Sequence, residues 1–308
     1  MLDTTNPDLV GLLHRALDLR DVAHPVDQAS YRFSMENDFV SPTGRVLRRQ
    51  RLSANYTRVL VDALSPRTAL FGFTWDRIEF AATSADPSRT APQDPIRWTF
   101  AEGRSFEYYR PFPAPEFPAG STSTSTGTGT GSGADDTPEF RVGDWYADLA
   151  RLPSVNLLVM ATWDIIMFEA MTGVLACEGL GAYGQHRPIS TMDNTQVHLD
   201  FQGFSVEHST FENGAVLSHP IGLTMVGDTP AAGVAFQGVG RLEVGGAMDT
   251  DRSQQGESYF LGNCHLSTSA ADLVSAEMTE LLMVSMKNSA GKLVPMQKRR
   301  VVRITRED

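Results

Sequence analysis

Five consecutive stretches near the C-terminus decide the fold: AVLSHPIGLTMVG (215–227), GVAFQGVGRLEVGG (233–246), SYFLGNCHLSTS (258–269), AEMTELLMVSM (276–286) and KLVPMQKRRVVRITR (292–306). Each contains β-branched or aromatic residues, and each is bounded by Gly, Asn, Asp or Ser. Short turns between successive extended runs predict an antiparallel meander, either barrel-like or a sandwich. Gly203, Gly222, Gly238 and Gly240 fall inside extended runs, where bulges or tight coiling place glycine.

Working towards the N-terminus, QVHLDFQGF (196–204) alternates Val197, Leu199 and Phe201 with His198, Asp200 and Gln202. A period of two puts the three polar residues on one face of a strand. Residues 155–172 are apolar almost all round, which fits a deeply buried helix stopped by Gly173, or a pair of buried strands. Further back, 145–152 reads as a short helix. Extended structure is expected over 31–40 and 45–64, and a hairpin over 96–112 turning at Glu102–Gly103. ALFGFTWDRIEFAA (69–82) is ambiguous, since Phe71, Trp75 and Ile78 fit a helical stripe while Phe71, Phe73 and Trp75 fit a strand. A leading helix is expected from Asn6, a capping residue, and Pro7, with Leu9, Leu12, Leu13 and Leu17 as its apolar stripe.

The tract GSTSTSTGTGTGSG (120–133) has no apolar residue with which to offset its ordering entropy, so a disordered segment is expected at about 119–136. The resulting organisation is an N-terminal β-rich half (1–118), the tract, and a helical segment followed by the meander (137–308). The matching flanks Pro115-Glu116-Phe117 and Pro138-Glu139-Phe140 favour a lengthened loop within one continuous β architecture over an interdomain linker. The fold class is therefore mainly β, antiparallel, with two or three accessory helices.

Charge narrows the partners. The net charge is −11, and residues 111–286 hold 5 Arg against 21 acidic residues. Such a surface repels phosphate backbones, which argues against nucleic acid. The last 22 residues hold 7 basic and 2 acidic side chains, which reads as a solvated basic strand or an anion seat. A homo-oligomer joining the acidic and basic surfaces is compatible with this asymmetry. Two cysteines, no basic-apolar leader and no run of 18 uninterrupted apolar residues predict a cytoplasmic protein outside the membrane.

Several residues could carry chemistry. His198 and Asp200 would form an acid/base pair if their face lines an interior, since a neighbouring carboxylate orients an imidazole and raises its pKa. His265, Asp76 and Asp164 are further candidate polar groups. Asp76 and Asp164 sit in the echoed triplets Thr74-Trp75-Asp76 and Thr162-Trp163-Asp164. Trp75, Trp163, Tyr108, Tyr109 and Gln202 are candidate ligand contacts for a hydrophobic small molecule in an apolar cavity.

No cofactor motif is recognisable: a G-x-S-x-G, a P-loop and a complete dinucleotide loop are all missing from the sequence. The function expected is binding of a hydrophobic small molecule, extending to a cofactor-independent isomerase, cyclase or lyase. The alternatives are a non-catalytic binder, or a non-haem metal-dependent oxygenase using His198-x-Asp200 with His219 or His265.

Overall fold

The computed structural model describes residues 19, 26–65, 68–85, 95–111, 140–142, 156–181, 183, 185–189, 199–201, 204–211, 216–246, 249–287 and 293–307. The expected leading helix, the short helix at 145–152, the Gly/Ser/Thr tract, His198 and Gln202 lie outside these residues.

Fourteen strands join in one antiparallel sheet. Before the helix come β1 (Gln28–Val40), β2 (Val46–Ser65), β3 (Thr68–Ser84), β4 (Ile96–Arg97), β5 (Ser105–Pro111) and β6 (Phe140–Val142). The helix α1 spans Asn156–Glu178. After it come β7 (Arg187–Ile189), β8 (Leu199–Phe201), β9 (Phe204–Phe211), β10 (Val216–Val226) and β11 (Thr229–Gly246). The last three are β12 (Asp249–Ser267), β13 (Leu273–Lys287) and β14 (Leu293–Arg306).

The main order is β6-β5-β3-β2-β1-β14-β13-β12-β11-β10-β7, with β4 on β3, and β9 on β11 carrying β8. The C-terminal meander is as read from the sequence. Its last strand pairs with the first, Tyr31 opposite Arg306 through Val40 opposite Gln297, so the two ends of the chain form the middle of the sheet.

The architecture departs from a barrel. Among the described strands the order ends at β6 and β7, three residues each, and these do not pair with one another. Closure is not needed to bury the inner face, because α1 fills it. Phe168 packs on Phe236 of β11 at 5.8 Å between ring centroids. Its neighbour Glu169 accepts a hydrogen bond from the Tyr108 hydroxyl of β5 at 3.2 Å. Seven strand-to-strand steps separate β5 from β11 in the sheet. At about 4.8 Å per step a flat sheet would hold them roughly 34 Å apart. A helix only about 10–12 Å wide touches both, so the sheet curls around it.

That placement explains why α1 is apolar on every side. Leu158, Ala161, Ile165, Phe168, Leu175 and Ala176 are all buried. By length and composition α1 could cross a bilayer, yet here most of it is enclosed by the sheet. The helix also runs past the expected stop at Gly173 and ends at Glu178, where Gly179 takes a left-handed φ of 81°. It is the single α-helix among the described residues; the other two expected helices fall outside them.

The ambiguous segment 69–82 is strand β3, and a bulge accounts for its helical look. Tyr56 faces Trp75 while the preceding Asn55 faces Arg77, so β3 holds one extra residue there. The inward set therefore shifts from Phe71, Phe73 and Trp75 to Ile78 and Phe80. Spacings of four and three arise in a strand without any helix. The expected hairpin over 96–112 is also different: β4 and β5 both pair with β3. The intervening loop follows the bulge, with the Gly103 amide donating to Trp75 O at 2.7 Å. Gly222 lies at a bulge, as expected, with a φ of 130°. Gly238 and Gly262 serve closer packing instead, lying beneath the rings of Phe260 and Phe236.

Candidate functional site

Strand alternation builds a polar row on the inner face. In β14, Val302 and Ile304 are fully buried, so Arg300 and Lys298 continue the same inward set. Gln50 of β2 stands opposite Asn37 of β1, Asn37 opposite Arg300, and Arg300 opposite Glu280 of β13. The next row towards the middle of the sheet is apolar: Leu52, Met35, Val302 and Met278. The row beyond holds Phe39, Lys298 and Leu282.

Against this row α1 places Asp164, with Met160 one turn earlier. Arg300 Nη1 donates to both Asp164 carboxylate oxygens at 2.7 Å, and its Nε donates to Glu280 Oε2 at 2.6 Å. Ser258 donates to the other Glu280 oxygen. Lys298, 3% exposed, approaches Met160 Sδ at 3.7 Å and the Phe39 ring centroid at 6.0 Å. The Asn37 side chain is fully buried, and neither its oxygen nor its nitrogen has a hydrogen-bond partner.

Electrostatics in this dry setting depart from solution behaviour. Burial pushes the Asp164 carboxyl up to about 6, against the opposing field of Arg300. Burial, reinforced by the Arg300 charge, brings the Lys298 amine down to about 7. For Glu280, burial is outweighed by Arg300, Lys298 and the Ser258 hydrogen bond, which hold it below its usual range. Two groups thus titrate near neutrality within one buried cluster, as proton-transfer sites require.

Beside Asp164 lies a cavity lined by Met167, Phe168 and Met171 of α1, with Val216, Phe236, Phe260 and Met278 from the sheet. Its space for the centre of a water-sized sphere is about 20 Å³, room for one water. Three of the lining residues are methionines, whose unbranched side chains repack readily around an entering group.

The expected site residues are scattered. Asp164 alone combines burial, a charged partner and a cavity. Trp163, next to it, is partly buried against the core. Trp75 is fully buried in the β3 layer, with its indole nitrogen unpartnered. Tyr108 is buried against Phe71 and Phe73, and Tyr109 is placed by its backbone opposite Leu70. Asp76 is exposed and accepts from the Thr57 hydroxyl at 2.7 Å. His265 is half-buried, with Nδ1 2.9 Å from the Ser275 hydroxyl, and burial lowers its pKa. The echoed Thr-Trp-Asp triplets occupy a strand and a helix, so they are not a structural repeat.

The His198-x-Asp200 metal arrangement meets a spacing difficulty. Asp200 pairs with Ser205, which faces Gly245 of β11, whereas His219 and His265 face Ala235 and Gly233 of the same strand. Ten to twelve residues of extended strand amount to roughly 33–40 Å. Among the described residues no group of three or more His, Cys, Asp or Glu could hold a metal ion.

Arg300 and Lys298 were missed because the basic C-terminal strand reads as solvated; Glu280 of β13 and Asn37 of β1 join them only through strand pairing. The charges of β14 are instead used within the chain: Arg299 pairs with Asp38 at 2.7 Å and Arg303 with Glu277 at 3.0 Å. The signal was present in the alternation, since Lys298 and Arg300 are in phase with Val302 and Ile304.

A second buried network ties the other end of the molecule together. Arg58, without exposed surface, binds Asp272 at 2.9 Å and Glu169 at 3.4 Å, and donates to Val26 O at 3.3 Å. Tyr31 and Phe71 rings flank the guanidinium. This links β2, α1 and the β12–β13 turn.

No family model matches the chain, and no curated protein matches it. Among solved structures the chain is similar to one titled "Lipid-protein interactions in lipovitellin", at a TM-score of 0.43 and 8% identity. The match covers 92% of this chain and 25% of that one, so this chain spans about a quarter of its length.

Proposed function

We propose that the protein binds an apolar small molecule between α1 and the β11–β13 face, with Asp164 and Arg300 at the polar end of the site. The observation that carries this reading is the composition of the cavity wall: seven apolar side chains and one carboxylate, Asp164. Sites of this kind gain affinity from apolar burial and orientation from few polar groups. The water-sized space is enlarged by rotation of Met167, Met171 and Met278 on binding.

The same carboxylate, titrating near neutrality, suits it to take a proton from a bound substrate and return it. That chemistry needs no cofactor and corresponds to an isomerase, cyclase or lyase. One observation favours a non-catalytic binder: Arg300 already occupies both Asp164 oxygens. Turnover therefore requires the guanidinium to move when substrate enters, whereas binding alone does not.

Titration with the neutral fluorophore N-phenyl-1-naphthylamine tests the reading. Saturable enhancement with one site per chain is expected. Met171→Trp, which fills the space, weakens binding by about tenfold or more, on the order of the 1.4 kcal/mol that corresponds to a factor of ten. Absence of saturable binding, or binding untouched by Met171→Trp, overturns it.

A further inference from the structure

We infer that the polar row receives a neutral carbonyl oxygen of the ligand at Asn37, which makes the natural ligand an otherwise apolar ketone, aldehyde or ester. The inference rests on the proposed apolar site and specifies the head group for it. Asn37 is the decisive residue. It is wholly buried, points inward with Tyr31, Phe33 and Met35, and leaves both amide atoms unpartnered. Native proteins rarely leave such groups unsatisfied, and the exceptions call for a physical reason.

Its surroundings select the ligand's charge. With Asp164 and Glu280 ionised and Arg300 and Lys298 protonated the cluster is formally neutral, and loss of the Lys298 proton makes it negative, so it has no positive charge to spare. A ligand carboxylate would add an uncompensated anion to a site shielded from water, which is costly. A carbonyl oxygen adds none and accepts from Asn37 Nδ2.

Position also fits. Asn37 stands opposite Arg300, and Lys298 lies two residues away along β14, a diagonal neighbour at about 7–8 Å. Glu280, on the other side of Arg300, stands opposite Phe260, which lines the cavity. From Met278 on β13 a ligand reaches Asn37 on β1 after crossing two strand spacings, roughly 10 Å, and from Phe260 on β12 after crossing three, roughly 14 Å. Gln50, opposite Asn37 and also buried, closes the far side of the row.

The test compares three nine-carbon compounds as displacers of N-phenyl-1-naphthylamine from the full chain: 2-nonanone, nonane and nonanoate. The ketone is expected to displace at about a five- to tenfold lower concentration than the alkane, as one buried hydrogen bond provides. Nonanoate is expected to displace no better than nonane. In Asn37→Leu the ketone advantage disappears while nonane is unchanged within twofold. Asn37→Asp, which preserves shape but removes the Nδ2 donor, likewise loses the advantage. Equal displacement by ketone and alkane overturns the carbonyl assignment while leaving the apolar site standing. So does stronger displacement by nonanoate, or a ketone advantage that survives in both folded variants. If the fluorophore itself does not bind, the apolar site fails and the carbonyl assignment with it.

Discussion

Arg300 Nη1 donates to both carboxylate oxygens of Asp164 at 2.7 Å, joining the last strand of the chain to the only described helix. The same guanidinium donates to Glu280 through Nε, so one cation serves two buried acids. Arg300→Leu leaves both acids in a largely dry setting. A loss of about 3–5 kcal/mol is expected from urea unfolding, since breaking a buried pair strands its partner. The triple variant Asp164→Leu, Glu280→Leu, Arg300→Leu should recover most of that loss. A single variant within 1 kcal/mol of the parent, on this order-of-magnitude scale, would contradict the geometry.

The two near-neutral groups give opposite pH limbs. Asp164 titrates at about 6 in the fold against an ordinary 3.8, so between these values the folded chain binds more protons than the unfolded one. Its contribution to stability therefore falls as pH rises from about 4 to 6. Lys298 titrates at about 7 against 10.5, so the unfolded chain binds more protons in that window and stability rises with pH through it. Their combined contribution is lowest near pH 6–7. Asp164→Asn should flatten the acidic limb and Lys298→Met the alkaline one, read as urea midpoints across pH 4–10. Unchanged limbs in both variants would show that these groups do not titrate as described.

Glycine packing in the cavity wall is equally specific. A Cβ at Gly262 would lie 2.2 Å from Glu277 O and 2.5 Å from Phe236 Cζ; one at Gly238 would lie 2.3 Å from Phe260 Cζ. Gly262→Ala, which meets backbone as well as a ring, should cost about 1–3 kcal/mol in denaturant unfolding. It should also perturb fluorophore binding, because Phe236 lines the site. Thermal and binding behaviour equal to the parent would refute the close approach.

Phe106 faces Val142 and Tyr108 faces Phe140, so β5 and β6 are direct neighbours although 28 residues, including the Gly/Ser/Thr tract, separate them in the chain. A connection between paired strands tolerates shortening, because halving loop length changes closure entropy by only about 0.6 kcal/mol. Deletion of 120–133 should shift the melting midpoint by no more than a few degrees, on the order expected for so small a term. Loss of cooperative unfolding would show that the tract does more than connect.

The sequence was most legible in the C-terminal meander, where extended runs are separated by short turn signals and pair in chain order from β10 to β14. It was least legible where alternation changed phase. The extra residue of β3 beside Trp75 turned a strand into an apparent helical stripe, and a bulge leaves no mark beyond that shift. Curling of the sheet around α1 was likewise hidden, because all-round apolarity specifies burial but not what does the burying. In the site, Asp164 was identified on a triplet echo that has no structural meaning. Its partner Arg300 lies 136 residues away and was discounted because Lys298-Arg299-Arg300 looks like a charged surface run. Only Arg299 of the three is well exposed; Lys298 and Arg300 follow the phase of Val302 and Ile304 into the interior.

The central claim, an apolar ligand held against α1 beside Asp164, is tested most directly by methyl NMR. Methionine Cε groups would be labelled with carbon-13 in the full chain and titrated with N-phenyl-1-naphthylamine. Saturable shifts are predicted at Met167, Met171 and Met278, which line the cavity, with Met225, exposed on β10, unmoved. Shifts confined to Met225, or no shift at the three lining methionines at saturating fluorophore, would contradict it.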